Sequence, residues 1–287
     1  MPPDRSGKAQ STQLMEHHPA QTRLHNGLQM PLLGLGMWDM YGEEAVQAVF
    51  QALETGYRLL DTAAMYHNET AAGEGLRRSG IPREEVFITS KVDNGDQGYE
   101  RTLRGFDASL KALRTDYLDL YLIHWPLRNT RAETWKALEH IYAEGRVRAI
   151  GVANYLVPFL EELLPQAAVV PMLNQVEFSP WLYLEDLLDY CRSRHIVLQA
   201  YTPLVRGKRF QDPRLQALSA AYGKTPAQVI LRWLLQHGVS AIPKSANKER
   251  IRENYSVFDF ALSPADMAKM DGFHEGLRVV DDPTPML

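Results

Sequence analysis

YRLLDTAAMYHNETAAGEGLRRSGIPREEVFITSKV, residues 57–92, sets two short apolar runs, YRLLD (57–61) and VFITSKV (86–92), on either side of a helical pattern, NETAAGEGLRRSG (68–80). Near-continuous apolar strands separated by a helix imply parallel pairing with both faces buried. The alternation extends in both directions. Upstream, LLGLGMW (32–38) precedes EEAVQAVFQALETG (43–56). Downstream come QGYERTLRGFDASLKALRT (97–115), YLDLYLIHW (117–125), RAETWKALEHIYAEG (131–145), VRAIGV (147–152) and LVPFLEELLP (156–165). MLNQVEF (172–178), LEDLLDYCRSRH (184–195), IVLQAY (196–201), TPAQVILRWLLQHG (225–238), SAIPK (240–244) and NKERIRENY (247–255) complete the series. Eight strands and eight helices predict an α/β chain closed into a single (β/α)8 TIM barrel, with an open doubly wound sheet as runner-up.

Local signals agree with this division. Thr225 offers a capping hydroxyl directly before Pro226, and Gly238 follows His237 where a left-handed residue ends a helix. Ahead of the barrel, TRLHNGLQMP (22–31) predicts a β-hairpin whose Asn26-Gly27 supplies both positive-φ positions of the turn. Residues 1–20 lack hydrophobic periodicity and are expected to form a flexible leader in which His17 and His18 are solvated rather than metal-binding. The barrel domain is placed at 21–287.

Composition narrows the function. The 287 residues are 45% hydrophobic and 23% charged, which describes a globular protein. With 31 basic and 35 acidic residues the formal charge is −4, so no net attraction to nucleic-acid phosphates is expected. The single cysteine, Cys191, excludes an intrachain disulfide and Cys-based zinc sites, and fits a reducing, cytoplasmic setting. Neither a secretory leader nor a membrane-spanning apolar run is evident, and no membrane partner is expected.

Reactive groups of such barrels gather at the carboxyl ends of the strands. Asp61 ends YRLLD, Lys91 nearly ends VFITSKV, His124 follows YLDLYLI, and Tyr66 lies in the loop five residues beyond Asp61. Singly, they read as a helix cap, a solvated strand end, a packed imidazole and a loop anchor. Together at one mouth they read as chemistry. An Asp–Lys pair makes burial of the ammonium tolerable, and that ammonium beside a phenol should lower its pKa from about 10. His124 is positioned to donate a hydrogen bond to a carbonyl oxygen. Carbonyl reduction needs a hydride that side chains lack, hence a nicotinamide or flavin. Gly34-Leu35-Gly36 and Gly73-Glu74-Gly75 both fall short of the Rossmann fingerprint.

These segments, with FITSKV (87–92), DASLKALRTDYLDLYLIHWP (107–126), GVANY (151–155), NQVEFSP (174–180), AYTPL (200–204) and IPKSANKERIREN (242–254), resemble the aldo-keto reductase superfamily in order across about residues 21–282. The resemblance implies an NADPH/NADP+-dependent oxidoreductase without metal, reducing aldehydes or ketones, with Asp61, Tyr66, Lys91 and His124 as its tetrad and Tyr66 as general acid. It further implies that Asn154 and Gln175 hold the nicotinamide carboxamide and that Tyr201 stacks on the ring. Leu204 in AYTPL also falls at a cofactor-binding position. Lys244, Ser245 and Arg250 match positions on the adenosine 2'-phosphate, and Glu253 and Asn254 match positions on adenine. The loops are most similar to those of small-loop bacterial members related to diketogluconate reductases, and a monomer is the state implied.

Two positions depart from the pattern. Ala153 stands where serine is common, and Asp93 where tryptophan often forms an aromatic wall. The pocket is expected to be bounded by Trp38, Asp93, Trp125 and the tail GLRVVDDPTPML (276–287). A second reading is a nicotinamide-binding regulatory subunit similar to the potassium-channel β subunits, and a third is a purely structural barrel. The complete tetrad opposes the third.

Overall fold

A computed structural model describes residues 20–286. The expected leader, His17 and His18 included, lies outside the described residues apart from Ala20, as does Leu287. The chain begins with an antiparallel hairpin, β1 (Gln21–Arg23) and β2 (Gln29–Pro31). Its turn differs from the expected one. Only Gly27 takes positive φ (93°), while the Asn26 side chain accepts from the Leu28 amide at 3.0 Å and so closes a wider loop.

The barrel then alternates β3 (Leu35–Gly36), α1 (Gly42–Thr55), β4 (Leu59–Asp61), α2 (Glu69–Ser79), β5 (Phe87–Val92), α3 (Tyr99–Leu113), β6 (Leu120–Ile123) and α4 (Arg131–Ala143). It continues with β7 (Ile150–Ala153), α5 (Val157–Leu163), β8 (Leu173–Glu177), α6 (Glu185–Arg192), β9 (Val197–Tyr201), α7 (Pro213–Tyr222), α8 (Pro226–Gln236), β10 (Ser240–Ala241), α9 (Lys248–Tyr255) and α10 (Pro264–Asp271). The eight strands β3 to β10 pair in chain order, every pair parallel. Parallel bridges Leu33–Ala241 and Gly36–Lys244 join the first strand to the last and close the barrel. Gly36 is required at this seam, because a Cβ there would lie 2.5 Å from the Ile242 carbonyl oxygen.

Strand period places the side chains. Successive residues point to opposite faces, so Leu60, Ile88, Tyr121, Val176 and Leu198 join the large core beneath the helices. Their neighbours Leu59, Phe87, Leu120, Leu122 and Leu173 form the barrel interior, which Leu24 and Met30 of the hairpin plug at the strands' amino ends. By the same parity Asp61, Lys91, His124, Gln175, Glu177, Gln199 and Tyr201 face inward, nearer the carboxyl ends. The floor is apolar and the mouth polar.

Helices α7 and α10 were not expected from hydrophobic period. Both start on a side-chain cap followed by proline: Asp212 accepts from the Arg214 amide, and Ser263 from that of Asp266. At α8 the expected cap is present as a full capping box between Thr225 and Gln228, and Gly238 takes φ 68°. Among the described residues, no helix is long and apolar enough to cross a membrane.

Candidate active site

The four strand-end residues converge on the mouth. Lys91 is fully buried, and its Nζ donates to Asp61 Oδ1 at 2.6 Å, to the Thr62 carbonyl at 2.9 Å and to the Tyr66 hydroxyl at 3.4 Å. Three acceptors match the three donors of an ammonium. Tyr66 closes a one-turn 3-10 helix, Ala64–Tyr66, and its ring meets that of His124 edge-on at 5.5 Å between centroids.

Below them a polar layer crosses the barrel. Gln175 Nε2 donates to Asp61 Oδ2 at 2.6 Å and to Gln199 Oε1 at 2.7 Å, and Gln199 Nε2 donates to Ser240 Oγ at 3.0 Å. The layer holds Asp61 from the side opposite Lys91. Removing one member of a buried ion pair costs about 3–5 kcal/mol, so the pair is a structural commitment as well as a chemical one.

Burial governs the protonation states. Burial is the largest single influence and works against the Lys91 ammonium, but Asp61 and Tyr66 together outweigh it, and the lysine's pKa lies above its usual value. For Tyr66 burial is also the largest influence; it exceeds the opposing pull of Lys91 and raises the phenol's pKa. The expectation that the ammonium alone would lower it is thus corrected. The phenol is protonated at neutral pH, which suits an acid. His124 is held well below its ordinary range by burial and then by the Lys91 charge. Its imidazole is neutral, and its buried Nδ1 has no hydrogen-bond partner among the described residues. A lone pair left unmatched there costs less than an N–H left unmatched, so the proton is assigned to Nε2, free to donate into the mouth.

The residues matched to the nicotinamide end lie beside the tetrad. Tyr201 is partly exposed, and its hydroxyl donates to Asn154 Oδ1 at 2.7 Å, while Asn154 Nδ2 donates to the His124 carbonyl at 2.9 Å. Asn154 has a φ of 65°, a left-handed backbone that redirects its side chain beyond the end of β7. Each end of its amide has one protein partner, which leaves one N–H and one oxygen lone pair for a ligand. Gln175 Oε1 accepts no hydrogen bond among the described residues and is the open amide oxygen of the pair.

Farther round the rim, Lys244 and Arg250 are exposed and form no ion pair among the described residues. They flank Ser245, which bonds to the Asn247 backbone at the start of α9. Glu253 Oε1 accepts from Thr225 Oγ1 at 2.8 Å, and the Asn254 side chain makes no hydrogen bond among the described residues. Leu204 is half-buried at the entrance to the turn Val205–Gly207. Two exposed cations without an ion pair among the described residues, with the open Asn254 amide nearby on α9, fit a phosphorylated nucleotide.

The three residues expected to bound the pocket, Trp38, Asp93 and Trp125, are all at least partly exposed. Trp38 is 48% exposed, and the Arg206 guanidinium lies 4.9 Å over its ring. Trp125 is partly buried, with its carbonyl accepting from Gln97 Nε2 at 2.7 Å. Asp93 spends Oδ1 on the Gly95 amide at 2.8 Å, capping its own turn.

Two residues escaped the sequence reading although both stood in quoted motifs. Glu177 ends β8, and its buried carboxylate accepts from the Val279 and Val280 amides at 2.7 and 3.3 Å, fastening the tail across the mouth. Its strand-end position was the available signal. Asn68, two residues beyond Tyr66, is buried and joins three mouth segments.

Comparison with known proteins adds an independent line. The family model described as the aldo/keto reductase family matches residues 32–275. The chain is 50% identical to the glyoxal reductase of Bacillus subtilis (strain 168) over 266 residues, covering 92% of this chain and 96% of that protein. It is 46% identical over 275 residues to the morphine 6-dehydrogenase of Pseudomonas putida, covering 91% and 93%. Among solved structures, a Bombyx mori aldo-keto reductase in complex with NADP superimposes with a TM-score of 0.88 at 33% identity, covering 92% of this chain and 95% of that one.

Proposed function

The chain belongs to the aldo/keto reductase family, and from that premise we propose that it reduces aldehydes or ketones to alcohols with NADPH, Tyr66 acting as general acid. The observation that carries this reading is Lys91 Nζ, seated between Asp61 and the Tyr66 hydroxyl and facing a neutral His124.

NADPH, when bound, supplies the hydride that no side chain provides. His124 Nε2–H donates to the substrate carbonyl oxygen, polarising it and fixing its approach to Tyr66. As the carbonyl carbon gains hydride, the oxygen takes the phenolic proton, and Lys91 steadies the phenolate left behind. Asp61 keeps Lys91 charged and aimed. Gln175 and Asn154 serve the carboxamide end, Tyr201 the ring face, and Leu204 the adjoining rim. Lys244, Ser245 and Arg250 serve the 2'-phosphate, with Glu253 and Asn254 at the adenine. The NADP complex of the Bombyx mori relative and the glyoxal reductase name of the Bacillus subtilis relative both support this assignment.

The test is NADPH oxidation by the purified chain with glyoxal, benzaldehyde and a carboxylate-bearing aldehyde, followed by product analysis. Stoichiometric alcohol is expected. Tight NADPH binding without turnover on any carbonyl would favour the regulatory-subunit reading instead.

A further inference from the structure

We propose that Asn68 is a positioning residue for the reduction, locking the Trp38 loop and the Tyr66–Lys91 pair into one unit; the proposal rests on the reading of Tyr66 as proton donor. Asn68 is 2% exposed. Its Nδ2 donates to the carbonyls of Met37 at 2.7 Å and Met40 at 2.9 Å, which bracket Trp38 and Asp39. Its Oδ1 accepts from Thr62 Oγ1 at 2.6 Å, and the carbonyl of the same Thr62 accepts from Lys91 Nζ. One side chain thus ties the loop after β3, the residue after β4 and the turn that carries Tyr66.

Two details argue that this linkage is more than ordinary loop packing. Asn68 occupies the N-cap of α2, where asparagine normally accepts from the helix's own amides. Here it makes no cap hydrogen bond, so that stabilisation is forgone for the bonds to Met37, Met40 and Thr62. Between Tyr66 and Asn68, His67 holds a left-handed backbone (φ 54°), which persists only where the surroundings over-determine it. Asn68 is the residue that fixes the far side of that turn. The Lys91–Tyr66 contact, at 3.4 Å, is the longest of the ammonium's three and the one most easily lost when the turn shifts.

The experiment uses full-length Thr62→Val, Thr62→Ser, Asn68→Ala and Tyr66→Phe, measuring kcat, KM for benzaldehyde, NADPH affinity and the pH profile. Thr62→Val removes the hydroxyl that Asn68 accepts from, yet preserves the backbone carbonyl bonded to Lys91, and its near-isosteric side chain protects folding if Asn68→Ala fails. A misplacement of about 1 Å costs on the order of a hundredfold, so Thr62→Val is expected to lose about tenfold to a hundredfold in kcat. Its basic limb should move to higher pH as Lys91 loses hold of the phenolate. NADPH affinity should stay within about twofold, and Thr62→Ser should restore both kcat and the limb. A Thr62→Val variant that loses thermal stability but keeps the wild-type kcat and limb, while Tyr66→Phe is inactive, overturns the role of Asn68 alone. Near-wild-type reduction by Tyr66→Phe overturns the underlying proton-donor reading.

Discussion

His124 is the residue whose protonation has the plainest consequence for the molecule. Its folded pKa lies well below the ordinary value of 6.5, through burial first and the Lys91 charge second. The unfolded chain therefore binds a proton that the native state refuses. The associated stability is complete above pH 6.5 and declines as pH falls toward the folded pKa, by up to about 1.4 kcal/mol per pH unit. Urea titrations between pH 5 and 7.5 should show a shallower decline for His124→Gln than for the wild type; parallel curves would refute the assignment. Asp93 yields the opposite kind of prediction. With Oδ1 capping Gly95, Asp93→Asn should leave the ratio of kcat/KM for an anionic and a neutral aldehyde unchanged at low salt. Selective improvement on the anionic substrate would show instead that Asp93 faces the pocket, as expected from the sequence. Asp61, Lys91 and His124 were legible because strand parity and the strand-end rule pick out the same residues, and Tyr66 because it lies in the loop just beyond Asp61. Asn154 was not legible by that route, since its φ of 65° breaks the parity on which the rule depends, and only motif resemblance identified it.

Among the elements, the start of α8 meets α9 at the proposed cofactor end. Thr225 Oγ1 accepts from the Gln228 amide and donates to Glu253. Thr225→Ala should cost about 1 kcal/mol of stability, seen as a lower Tm, and should weaken NADPH binding by freeing Glu253. At α9, Arg250→Ala should erode the preference for NADPH over NADH tenfold or more, read from the two dissociation constants. Equal affinities in the wild type would remove the basis for a 2'-phosphate site at Lys244 and Arg250. Helix existence was legible where apolar period was strong, as in α1, α3 and α8. Helices α7 and α10 were passed over because they bury few apolar residues, Leu215 and Leu218 in the one and Met270 in the other, although Asp212-Pro213 and Ser263-Pro264 announce their starts as Thr225-Pro226 does. The hairpin was found but its turn was misjudged. Asn-Gly suits a two-residue turn, yet the pairing of Arg23 with Gln29 leaves a longer loop that needs positive φ at Gly27 alone.

At the scale of the molecule, the mouth depends on barrel closure. The seam between β3 and β10 brings Gly36 against Ile242 and delivers Lys244 to the rim. Gly36→Ala should destabilise the fold by about 1–3 kcal/mol through overpacking of backbone on backbone, measured by denaturant melts. Strand number, order and closure were legible from the eight alternating units, whereas the role of Gly36 at the seam appears only when the last strand is beside it. The floor of apolar residues and the polar layer above it then follow from the two-residue period of every strand. That geometry makes one claim central, namely that Tyr66 delivers the proton while the remaining mouth holds cofactor and substrate. Single-turnover reduction by NADPH-loaded Tyr66→Phe tests it most directly. A rate about 10²- to 10⁴-fold below wild type with NADPH affinity retained is the predicted result; a near-wild-type rate from the folded variant would contradict it.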